Sequence, residues 1–120
     1  MDEPPLDGDV VTLAAAKAGV TPLAVWLLVE RAHEHLTPRF DEYRRRYECI
    51  ETSEGGVPFL VSAGHWETVG NQLEFTDREV GAVRRAHEEQ FRRLGRQTDR
   101  ADEFETALEI REVVILAAST

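Results

Sequence analysis

The sequence predicts a mainly α-helical single domain of about five helices, with a C-terminal antiparallel helical hairpin and one small β-hairpin near residues 48–61. Three observations carry that expectation. Apolar residues recur at spacings of three and four through most of the 120 residues. Thr76-Asp-Arg-Glu79 has the reciprocal pattern of a capping box ahead of a long amphipathic run. Helical spacing weakens over residues 51–75, where Gly and Pro bracket the short apolar run Val57-Pro-Phe-Leu-Val61.

Taken in order, residues 1–8 carry Asp2, Glu3 and Asp7 with two prolines, which reads as a flexible acidic arm. Asp9 is placed to cap a short helix over residues 10–18, with Gly19 as its C′ residue. Thr21-Pro22 opens a second helix, since proline at the first helical position loses no hydrogen bond. Leu23 to Val29 is apolar without a break, so its first two turns are expected to be buried nearly all round. Pro38 disfavours helical geometry at Thr37 and breaks or bends the chain there. Phe40, Tyr43, Tyr47 and Ile50 then recur at helical spacing and suggest a third helix.

Ser53-Glu-Gly-Gly56 reads as a turn, and the run from Val57 as a strand that Pro58 would confine to a sheet edge. Its partner would be residues 48–52, at the expense of the end of helix three. Trp66, Val69 and Leu73 have helical spacing. The capping box opens a helix of about 20 residues with Val80, Val83, His87, Phe91 and Leu94 on one face. Thr98 or Asp99 is expected to cap a last helix that runs from about Arg100 to Ala118.

Composition narrows the environment. The net charge is −9, built from 23 acidic residues and 14 basic ones, of which Lys17 is the sole lysine. Acidic, lysine-poor surfaces suit molar salt, where the Debye length falls to roughly 3 Å and self-repulsion is screened. The expectation is a salt-adapted cytoplasmic protein; an ordinary acidic protein with an Arg-biased codon usage is the alternative. Cys49 is the single cysteine, so no internal disulfide forms. The start is acidic and has no signal-peptide pattern, and no apolar run approaches the ~20 residues of a membrane span.

Several motifs bear on chemistry. Residues 13–28, with Ala15, Gly19, Val20, Val25 and Leu28 at core positions, resemble a helix-turn-helix. The reading positions would hold Thr21, Pro22, Leu23, Trp26 and Leu27, which offer no base-reading donors, and the segment nets zero charge. Glu30 and His33 have Glu-x-x-His spacing, but a second copy is missing and His33 and His35 diverge by about 200° on a helix. The stripe Arg84, Arg85, Arg92, Arg93 and Arg96 has Glu88 and Glu89 at ion-pair spacing, which favours a self-neutralised solvent face. His65 and Trp66, in Ser62-Ala-Gly-His65-Trp66, form the one loop suited to a ligand or to catalysis. No catalytic set, cofactor motif or metal set is assigned, and nucleic acid and membrane are not expected partners.

In length, in its Arg-for-Lys composition, and in Gly55-Gly-Val-Pro-Phe-Leu-Val61 and His65-Trp-Glu67, the chain resembles a family of small proteins of unknown function from salt-loving archaea. The resemblance implies no assigned activity and carries over no functional residue. The leading expectation is therefore a non-catalytic interaction or regulatory module that works as a homo-oligomer, a homodimer in the simplest case. Its interface would be the apolar last helix, through Ile110, Val113, Val114, Ile115 and Leu116; a deeply buried terminal helix, or a C-terminal strand favoured by Val-Val-Ile, is the alternative. A degenerate DNA-binding regulator and an enzyme or ligand site at His65–Trp66 are the alternatives.

Overall fold

The computed structural model describes residues 3–50 and 56–118. Helix α1 (Gly8–Ala18) turns into α2 (Pro22–Leu36), and a 3-10 turn (Thr37–Arg39) leads into α3 (Phe40–Arg46). Strands β1 (Glu48–Cys49) and β2 (Val57–Ser62) follow, then α4 (His65–Leu73), α5 (Asp77–Gln97), α6 (Ala101–Ile110) and β3 (Arg111–Leu116). The expected mainly α class with a small β-hairpin is what the chain adopts. The hairpin pairs Glu48 with Leu60 and Cys49 with Phe59. The expected turn over residues 53–56 lies outside the described residues except for Gly56.

Local signals placed many boundaries. Thr21 caps α2 by accepting from the Ala24 amide at 3.2 Å. The capping box of α5 is complete: Thr76 Oγ1 accepts from the Glu79 amide at 3.2 Å, and Glu79 Oε1 accepts from the Thr76 amide at 2.8 Å. Gly19 is left-handed at φ 72°, the conformation that ends α1 without strain on a side chain. Two other expected caps are absent. Asp9 lies within the first turn of α1, whose N-cap is Asp7; both carboxylates are instead bound by Arg93. Thr98 ends α5 rather than starting α6, its hydroxyl donating to the Leu94 carbonyl at 2.7 Å.

The largest correction concerns the C-terminus. The last helix ends at Ile110, and Arg111–Leu116 is a strand. It pairs antiparallel with β2, Val57 opposite Leu116 through Ser62 opposite Arg111. The β-branched run Val113-Val-Ile115 fits a strand buried on both faces, and a partner 50 residues away decides the matter. The helical hairpin is therefore α5 against the shorter α6, with Phe91 stacked on Phe104 at 4.2 Å between centroids.

The sheet order is β1-β2-β3, so β2 is the central strand and Pro58 is not at a sheet edge. Pro58 is tolerated because its nitrogen faces the end of the two-residue β1. The Ile50 amide still donates to the Pro58 carbonyl at 2.9 Å, but Pro58 cannot return the bond and pairing stops.

Both faces of the sheet are covered. Leu60, Val113 and Ile115 meet a cluster built from α1, α2, α5 and α6. Phe59, Val61, Val114 and Leu116 meet a second cluster from α2, α3, α4 and α5. Helix α5 is the element with the most buried residues, nine of them, and serves both clusters. The start of α2 departs from expectation: Leu23 and Leu27 are 68% and 53% exposed, while Val25, Leu28 and Val29 on the other side are buried. Nor are residues 4–8 a solvated arm throughout. Pro4 and Leu6 are buried, and the Asp7 amide donates to Gln90 Oε1 at 2.8 Å.

Candidate functional site

The five residues expected at an oligomer interface divide sharply. Val113, Val114, Ile115 and Leu116 are fully buried in the chain's own core, while Ile110, at the end of α6, is 74% exposed. The apolar run is consumed as a strand with two covered faces, leaving no free face to offer a partner.

The outer edge of β3 is closed by side chains. Trp66 Nε1 donates to the Val113 carbonyl at 2.9 Å, the Ile115 amide donates to His87 Nδ1 at 3.0 Å, and the Ala117 amide donates to His33 Nε2 at 3.1 Å. Both histidines act as acceptors here and must be neutral at those nitrogens. Burial, aided by His33 nearby, lowers the pKa of His87 to about 3. His33, considered for metal, is thus held against the C-terminal strand, while His35 Nε2 meets Gln72 Oε1 at 2.8 Å. The basic stripe also turns inward upon the chain. Arg84 pairs with Glu88, Arg92 with Glu89 and Glu105, and Arg93 with Asp7 and Asp9.

His65 and Trp66 lie at the start of α4 but point to different tasks. Trp66 is buried and belongs to the core, its ring 4.6 Å from that of His87. His65 is half-buried and borders a cleft of about 290 Å³ between α3 and α4. Gly64 precedes it at φ 90°, a backbone conformation that a side chain would strain. The Glu112 carboxylate, brought by β3, takes the place of a helix cap: it accepts from the Gly64 and Trp66 amides, each at 2.9 Å.

Tyr43 Oη lies 2.6 Å from His65 Nε2. Burial raises the Tyr43 pKa well above the usual tyrosine value and lowers that of His65, so the pair is neutral at pH 7. The hydrogen bond joins Oη to Nε2 and leaves the Nδ1 side of the ring outside it. Tyr47 completes an aromatic wall, its ring 5.4 Å from that of His65 and 4.9 Å from that of Tyr43. Arg39 and Arg46 line the same cleft. Sequence reasoning found His65 and missed the rest. The signal was present as Arg39, Tyr43 and Tyr47 at steps of four, but Tyr43 and Tyr47 were absorbed into a core face.

Fold and site together define a mainly helical domain wrapped on a three-stranded antiparallel sheet, with a polar cleft beside the His65 turn. The chain belongs to the family described as a domain of unknown function (DUF8048), whose model matches residues 4–118. Comparisons with curated proteins and with solved structures found no match. Among the described residues, no single helix is long and apolar enough to cross a membrane.

Proposed function

We propose that this protein is a non-catalytic binding domain and that the α3–α4 cleft is its ligand site. The observation that carries this reading is the Tyr43–His65 hydrogen bond in the cleft wall. It fixes the ring and occupies one of its two nitrogens. The nearby carboxylate, Glu112, is likewise spent on two backbone amides. Such a rigid wall with unspent donors favours binding over proton transfer.

The test is a screen of small polar fragments of mixed charge by amide correlation NMR. Shifts should cluster at residues 43–47 and 62–68 and vanish in Thr68→Trp, which fills the cleft from an exposed position. Fragments that shift no amides there would overturn the reading.

Self-association is a second reading, now resting on a different surface. Leu23 and Leu27 lie one turn apart and exposed on α2. Light scattering should give a dimer for the parent chain and a monomer for Leu27→Glu; a monomeric parent ends this reading. The acidic, lysine-poor composition further supports adaptation to molar salt in a cytoplasmic setting, for which the Tm should rise steadily between roughly 0.1 and 1 M KCl, as the Debye length falls from about 10 Å to about 3 Å.

A further inference from the structure

We infer that the ligand class of this cleft is an oxyanion, a phosphate or carboxylate group on a small molecule. The inference rests on the cleft being a binding site and adds the chemistry it selects. Among the described residues no acidic side chain lines this cleft, while Arg39 and Arg46 both do. The polar lining is weighted to donors. Gln72 has its carbonyl oxygen against His35, which leaves its NH2 group available. Ser62 adds a hydroxyl, while the Thr68 hydroxyl is turned to the Gly64 carbonyl at 3.4 Å.

The arginines are held differently, and each placement helps. Arg39 binds one Glu42 oxygen through Nε at 3.0 Å and Nη2 at 2.6 Å. This orients its guanidinium and leaves Nη1 unspent. Arg46 lies over the Tyr47 ring at 5.6 Å and has no carboxylate partner among the described residues. A guanidinium braced on an aromatic face offers a planar pair of donors, which matches a carboxylate or phosphate edge. Burial is the main cause of the lowered His65 pKa; Glu112 opposes it, and Arg39 and Arg46 each add a smaller lowering. At about 290 Å³ the cleft suits one small group rather than an extended chain.

The experiment is NMR titration at constant ionic strength with four probes: inorganic phosphate, acetate, glycerol and methylammonium. Phosphate or acetate should give saturable shifts at Gly64, His65 and Thr68. Arg46→Gln, at an exposed position, should weaken that binding at least tenfold with an unchanged Tm. Arg44→Gln, on the same helix but outside the cleft, should bind like the parent. Binding of glycerol or methylammonium without either anion overturns the oxyanion class and leaves the binding site standing. Anion shifts that do not saturate, or that fall equally in Arg44→Gln, reduce the effect to diffuse surface charge and overturn the inference. If all four probes leave the cleft amides unmoved, the binding reading fails with it.

Discussion

The two edges of the small sheet are finished in opposite ways. The β1 edge is two residues long, exposed and polar, and pairing ends where Pro58 has no N–H to give. The β3 edge is six residues long and mostly apolar, and it would be a template for another chain if it were open. Trp66, His87 and His33 close it from three helices, standing where a fourth strand would stand. A short polar edge needs no cover, whereas a long apolar one needs its backbone groups satisfied individually.

That contrast is broken most forcefully by a charge on the covered edge. Ile115 is fully buried, so Ile115→Glu would place a carboxylate in the core at a cost of several kcal/mol and should leave the chain unfolded by circular dichroism. Cys49→Ser, on the exposed edge, should change stability by less than about 0.5 kcal/mol. A folded monomeric Ile115→Glu would return Ile115 to an interface and undo the assignment of β3 as core.

His87→Phe probes the closure itself. It keeps a ring beside Trp66 but strands the Ile115 amide, and chemical denaturation should show a loss of about 2 kcal/mol. A neutral result would mean that water or a neighbour satisfies that amide and that the histidine only fills space.

Acid sharpens the same point. His87 titrates near 6.5 when unfolded and near 3 when folded, so the unfolded state binds the extra proton first. Stability is complete above pH 6.5 and is lost progressively as pH falls towards 3. Between pH 7 and pH 5 the loss from His87 is about 2 kcal/mol, and His65, also lowered, acts in the same direction. The Tm of the parent should therefore fall over that range more steeply than that of His87→Phe.

What could be read in the sequence was what neighbours in sequence decide. The Thr76–Glu79 capping box and Thr21-Pro22 depend on residues within one turn, and both formed as expected. Residues 111–116 could not be read in that way, because Val-Val-Ile accepts either a helix or a strand and β2 makes the choice from a distance. His87 lies on the buried face its spacing predicts, but its role as acceptor for β3 needs a strand that Val-Val-Ile offers only as an alternative to a helix. In the cleft, His65 was visible because Gly64 precedes it in an irregular stretch. Arg46 stayed hidden because it sits at the end of α3, off the four-residue steps of Arg39, Tyr43 and Tyr47.

The smallest expected effect lies at the open edge, where Arg111 Nη1 reaches Glu48 Oε1 at 2.7 Å across the sheet. Both side chains are largely solvated, so the pair should contribute about 0.5 kcal/mol at low salt. A double-mutant cycle of Arg111→Ala and Glu48→Ala should return that coupling, and molar KCl should remove it by screening. A coupling several times larger and insensitive to salt would mean that β1 is held as firmly as β3. The open edge would then be locked by charge, and the difference between the two edges would lie in chemistry rather than in strength.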